Sequence, residues 1–202
     1  MIEKISTEQK ILDAAKLIFS KKGFAATRTR DIAEEADINL ALLNYHFGSK
    51  EKLFKLIVEE KFKALFGTVQ PVLSDAGISL KEKAATLTEN YTRLLLEDED
   101  LAMFVLNQIK TDQLLLREVI QKVKIFTVHV IEKQLRDSGF QMSVVDYVMN
   151  IISLSLFPFL SKELFISAGL IEKENFKDLI QERSKQIPDW IMQILNSTKK
   201  EI

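Results

Sequence analysis

The chain has 202 residues, 47% of them hydrophobic and 28% charged, with no cysteine and a formal net charge of −1. That is enough apolar material for an ordinary core and excludes a disordered chain. The lack of cysteine excludes disulfides and thiolate sites and fits a reducing cytoplasm, while a balance so near zero excludes a wholesale polyanion binder.

The first predicted helix runs over Thr7–Lys22. Ile11, Leu12, Ala15, Ile18 and Phe19 repeat at the spacing of one apolar helix face, and Gly23 stops the run. A second short helix, Arg28–Ala36, follows, with Thr27 as its N-cap and Ile32, Ala33 and Ala36 as a small apolar side. Asp37 falls where the chain must turn, a residue that tolerates left-handed backbone better than most. Asn39 caps a third short helix, Leu40–Phe47, and Gly48 ends it. Leu43 and Phe47, four apart, anchor that helix to a core. Its remaining face carries Leu40, Ala41, Asn44 and Tyr45, with His46 beside it. Small and polar tips on an exposed helix suit the DNA major groove, which admits a helix and displays base edges. Arg28, Arg30 and Lys50 flank the face at positions suited to phosphate.

These residues resemble the DNA-binding domain of the TetR family of bacterial transcriptional regulators. The family pattern runs Phe, Thr, Arg-Asp-Ile-Ala, Ala-Gly-Val, then Tyr-x-His-Phe-x-Ser-Lys-Glu. It is met by Phe24, Thr27, Arg30-Asp31-Ile32-Ala33, Ala36, Ile38, His46-Phe47 and Ser49-Lys50-Glu51. Two positions depart: Asp37 replaces the turn glycine, and Asn44 stands where tyrosine is common, with Tyr45 next to it. The match covers about the first 55 residues, and the rest agrees in length and helical character only. The resemblance implies an all-α protein: a three-helix helix-turn-helix domain over residues 1–48, then a larger antiparallel helical domain for ligand binding and dimerisation over 49–202, with 49–66 as the connecting helix.

Ser49 caps that connecting helix, Lys50–Phe66. Gly67, Pro71 and Asp75-Ala76-Gly77 mark a loop or broken segment. Ser79 and Glu82 form a capping box that opens a helix to about Glu97. The acidic run Glu97–Asp100 precedes a helix over Leu101–Ile109. Neighbouring carboxylates on a helix do not face one another, so the run is a solvated turn and no metal is expected. A long helix, about Gln113–Asp137, buries Val119, Val123, Phe126, Val130 and Ile131, with His129 among them. Ser143 opens an apolar helix, Val144 to about Phe165, interrupted by Pro158. Pro188 opens the last one, to Asn196. The Val144 helix is apolar on more than one side and needs a partner. Ile152, Leu156, Phe159, Trp190, Ile191 and Ile194 are the expected homodimer interface, as the resemblance also implies.

The functional expectation is a ligand-responsive repressor, with no cofactor, that leaves a palindromic double-stranded operator when it binds a small molecule. Thr27, Arg28, Tyr45, His46 and Lys50 are expected on phosphates, and Leu40, Ala41 and Asn44 on base edges. Met103, Phe104, Gln108, Phe126, His129 and Tyr147 are the expected lining of a mostly apolar pocket. An aliphatic or aromatic inducer follows from the resemblance alone. A DNA-bound protein that acts through a protein partner is the alternative. An enzyme is not expected, because two histidines, no cysteine, no HExxH and no Gly-rich phosphate loop leave no converging catalytic set. Residues 1–55 hold 10 Lys/Arg against 8 Asp/Glu, so the DNA reading rests on local placement rather than bulk charge. The longest uncharged run, Tyr147–Ser161, is shorter than the roughly 18–20 residues a membrane helix needs. The N-terminus is polar rather than signal-like, and the expected location is the cytoplasm.

Overall fold

A computed structural model describes residues 6–111, 117–118 and 129–199. Eleven α-helices are described: α1 Thr7–Ala26, α2 Thr29–Glu35, α3 Leu40–Phe47, α4 Lys50–Phe66, α5 Val69–Ser74, α6 Leu80–Glu97, α7 Leu101–Thr111, α8 His129–Asp137, α9 Val144–Leu160, α10 Lys162–Ser167 and α11 Phe176–Ser197. The fold is all-α, with no strand among the described residues. None of these helices is long and apolar enough to cross a membrane.

The first three helices close on one small core of Ile11, Ala15, Phe19, Ile32, Ala33, Leu43 and Phe47. Phe54 of α4 joins it, its ring 4.9 Å from Phe19 edge-on and 4.6 Å from Phe24. The path of α1 breaks at Gly23 (φ 72°, ψ 168°), as expected, although a further helical turn carries on to Ala26. The break corrects the role given to Thr27. Arg28, not Thr27, is the N-cap of α2. The Thr27 hydroxyl donates to the Gly23 carbonyl at 2.7 Å, because the glycine frees carbonyls at the end of α1 and a hydroxyl lies within reach. Asp37 does adopt left-handed backbone (φ 53°). The Asp37 N–H donates to the Glu34 carbonyl and the Ile38 N–H to the Ala33 carbonyl, the paired bonds of a helix leaving through a left-handed residue.

In the larger part, α6 and α9 both pack against α11 and run antiparallel to it. Lys81 pairs with Asp189 near one end, and the Phe159 and Phe176 rings meet at 5.5 Å near the other. Two expectations about turns fail here. The segment after Gly67 contains α5, because Val69 and Leu73 find a core to enter. The last helix begins at Phe176 rather than Pro188, so the proline is interior. Ile180, Ile187, Ile191 and Leu195 bury one continuous stripe across it, and that packing outweighs the missing hydrogen bond.

Pro158 has a similar history. The helix passes through it and ends at Leu160, and Ser161 separates α9 from α10. A proline offers no N–H to the carbonyl four residues back, here Leu154. Arg183 of α11 supplies one: its Nη2 lies 3.5 Å from the Leu154 oxygen, with the guanidinium 5.0 Å from the Trp190 ring centroid. Arg183→Leu keeps the aliphatic stem but strips that donor. Urea unfolding should show a loss of about 1–2 kcal/mol, the lower range for a long hydrogen bond plus a partly exposed cation–π contact, with part of it restored in Arg183→Lys.

One buried ion was not foreseen. Lys83 is fully buried, and its ammonium donates to the carbonyls of Val72, at 2.9 Å, and Asp75 at the C-terminal end of α5. Burial holds its pKa below the usual lysine value. It acts as a C-cap delivered from another helix, where a cation also meets the negative end of the helix dipole.

Candidate nucleic-acid interface

Helix α3 stands at the surface on two buried pegs, Leu43 and Phe47. The Asn39 side chain accepts from the Leu42 N–H at 2.8 Å, and Gly48 (φ 76°) lets the chain leave at once. Opposite the pegs, Ala41, Asn44 and Tyr45 are exposed, with His46 to one side. Tyr45 is 83% exposed, a large amphipathic ring standing in solvent with the His46 ring edge-on to it at 5.4 Å. Leu40 is half-buried against the core, so it offers less of itself than expected. Arg28 and Arg30 are exposed at the start of α2. Asp31 beside them is held below the usual carboxylate range by a hydrogen bond from Lys22 at 3.0 Å and another from the Arg28 N–H.

Two of the expected phosphate holders are placed otherwise. Thr27 is 1% exposed with its hydroxyl spent on Gly23, so its side chain is turned away from any phosphate. The Lys50 ammonium donates to the carbonyls of Phe24 and Thr27, each at 3.0 Å, and sits 4.3 Å from the Phe24 ring centroid. Arg28, Tyr45 and His46 remain open to solvent.

The expected pocket residues divide. Met103, Phe104 and Gln108 of α7 do come together, lining a cleft of about 900 Å³ with Phe19, Phe24 and Phe54. Tyr147 does not join them: it is fully buried and its hydroxyl donates to the Leu80 carbonyl, pinning α9 to the start of α6. Burial pushes its phenol pKa up. His129 is also misplaced. Its side chain is 88% exposed at the start of α8, with Ile131 and Leu135 taking the buried side of that helix. Phe126 lies outside the described residues. Four buried hydroxyls that the sequence did not single out, Ser74 on α5, Thr88 and Tyr91 on α6 and Ser155 on α9, have no hydrogen-bond partner among the described residues. Thr27, Ser161 and Thr198 all donate to a carbonyl three or four residues back, which these four do not.

The expected dimer residues divide as well. Ile152, Trp190 and Ile194 are half-buried and face outward in part. Leu156, Phe159 and Ile191 are 9%, 8% and 1% exposed and belong to the protomer's own core, since α6, α9 and α11 share that side. The exposed apolar residues of α9 are instead Val145, Met149 and Phe157, continued by Leu164 of α10. Val145, Met149 and Ile152 lie at the i, i+4, i+7 spacing of one face, a signal already present in the sequence.

Residues 11–57 match the family model described as bacterial regulatory proteins, tetR family. Over 200 residues, 96% of each chain, the protein is 26% identical to the HTH-type transcriptional regulator YttP of Bacillus subtilis strain 168, itself described as probable. It is 36% identical over 90 residues to the HTH-type transcriptional repressor NicS of Pseudomonas putida, covering 43% of this chain and 42% of that one. The crystal structure of the transcriptional regulator FadR from Bacillus subtilis, in complex with stearoyl-CoA, shares the fold with a TM-score of 0.60 at 18% identity, over 88% of this chain and 96% of that chain. Residues 11–57 form a DNA-binding domain of the tetR family of bacterial regulatory proteins, and over nearly its whole length the chain is similar to an HTH-type transcriptional regulator.

Proposed function

We propose that the protein is a homodimeric repressor whose two α3 helices enter successive major grooves of a palindromic operator. The reading is carried by α3: a short helix with two buried pegs and an opposite face of Ala41, Asn44 and Tyr45 that the protomer leaves bare. In this reading residues 1–48 are the reader and 49–202 the ligand and dimer body. Arg28, Tyr45 and His46 hold phosphates, Ala41 and Asn44 face base edges, and Leu40 contributes its exposed edge. A dyad places the two readers about one helical turn, ~34 Å, apart.

A small apolar molecule in the body then acts through α4, the first helix past the reader, by favouring a spacing that no longer fits the operator. It must bind the two spacings with different affinity, since equal affinity shifts nothing. Thr88, Tyr91 and Ser155 support a ligand in the body: buried hydroxyls with no partner among the described residues cost free energy that a ligand's polar end would recover. The FadR complex makes long-chain acyl-CoA a sensible first probe.

The test is a gel shift on the DNA upstream of the protein's own coding region, with and without acyl-CoA and a panel of apolar compounds. Binding to one palindrome, released by one member of the panel, is the expected result. Binding scattered over many unrelated sites and indifferent to every compound sinks the reading. Asn44→Ala should leave overall affinity for random duplex alone and flatten the base preference at one position of each half-site. A bidentate amide–adenine pair contributes about 1–3 kcal/mol of discrimination. A selected binding motif identical to that of the wild type removes Asn44 from base reading.

A further inference from the structure

We propose that Lys50 is a positioning residue that couples the connecting helix to the reading helices, rather than a phosphate holder. The proposal rests on the reading of α3 as the DNA-facing helix. The break at Gly23 leaves carbonyls at the α1–α2 corner without helical partners. Thr27 takes the Gly23 oxygen, and Lys50 takes those of Phe24 and Thr27 at 3.0 Å each. Two of the three ammonium donors are thereby spent on backbone. The ammonium also lies over the Phe24 ring, at 4.3 Å from its centroid, and that ring packs on Phe54 of the same helix α4.

The location of the charge sharpens the argument. Lys50 is the first residue of α4, where the helix dipole disfavours a cation. Three contacts on the α1–α2 corner hold it there. The corner leads directly into Arg28, the N-cap of α2, and α2 carries α3 through the Asp37 turn. A displacement of α4 therefore drags the ammonium, and with it the carbonyls that set where α2 begins. Beside the chain connection through Gly48 and Ser49, Lys50 gives a second link between the helix that would move on ligand binding and the pair of helices that would read DNA.

The two roles predict different measurements. A lysine on phosphate contributes about 0.9 to the slope of log K against log salt, equally on specific and random duplex. A positioning lysine contributes nothing to that slope but sets the specific geometry. Lys50→Met, which keeps the stem over Phe24, is expected to weaken operator binding about tenfold. The salt slope and random-duplex affinity should stay as in the wild type. Backbone amide hydrogen exchange over residues 25–31 of the free protein should quicken. Lys50→Gln, uncharged but still an N–H donor, should recover part of both the operator affinity and the protection. A slope reduced by about 0.9 in the Met and Gln variants alike, or corner exchange unchanged in Lys50→Met, overturns the proposal. The exchange measurement needs no DNA, so its failure is distinct from failure of the operator reading.

Discussion

Ala41→Asp is expected to lower operator affinity by about 100-fold while leaving the melting temperature of the free protein unchanged or slightly raised. Ala41 is exposed, on the side of α3 opposite Leu43 and Phe47, and makes no packing contact that a larger side chain would break. It is the second residue of the helix, where free N–H groups favour a carboxylate by about 0.3–1 kcal/mol. The folded protein therefore gains, if anything, from the substitution. The complex does not. A carboxylate carried into the major groove brings like charge against like charge, which costs several kcal/mol, and each 1.4 kcal/mol is tenfold in affinity. Fluorescence anisotropy with labelled operator, beside a thermal melt of the free protein, reads both quantities. Ala41→Asn, similar in size but neutral, should lose far less. Wild-type affinity in Ala41→Asp would mean that DNA meets some other surface. The opposed signs for folding and binding make the test sharp, since no loss of fold can imitate the result.

What the sequence made legible was chiefly local. Asn39, Ser49, Ser79 and Ser143 each cap the helix that their position announced, because a cap needs only a side-chain oxygen and an N–H three residues on. The left-handed turn at Asp37 is legible for the same reason. Features that depend on distant partners were not. Lys83 buries its ammonium because α5 presents carbonyls to α6, and no pattern around Lys83 shows this. Pro188 looks like a helix start until α6 is laid along α11. Thr27 looks like a cap until Gly23 frees a carbonyl beside it. At the candidate interface, Ala41, Asn44 and Tyr45 were legible because helix periodicity alone separates them from Leu43 and Phe47. The inward turn of Lys50 was not, since it depends on a corner 23 residues earlier in the chain.

For the proposed dimer, sidedness rather than apolar content selects the candidate face. Helix α9 is rich in large apolar residues, yet Leu156 and Phe159 are consumed by the protomer core, and Val145, Met149 and Phe157 remain more than half exposed. Trp190 and Ile194 of α11, which also packs on α9, are half-buried. Three large apolar residues more than half exposed on one helix are more than scattered surface leucines would account for. Met149→Glu is expected to abolish the dimer at micromolar protein. About a dyad the same patch meets itself, so one substitution brings two carboxylates to one dry interface. Neither finds a partner there, and a buried unpaired charge is strongly destabilising. The protomer should stay folded, because Met149 faces solvent within it. Operator affinity should then fall by about 100-fold or more, the advantage that linking two readers confers without any new contact. Sedimentation equilibrium and anisotropy check the two halves. Leu56→Glu, on an exposed apolar residue of α4 away from this face, is the matched control and should leave the dimer whole. A Met149→Glu protein that still sediments as a dimer would place the dyad on another face, and the geometry of paired reading heads would have to be rebuilt from there.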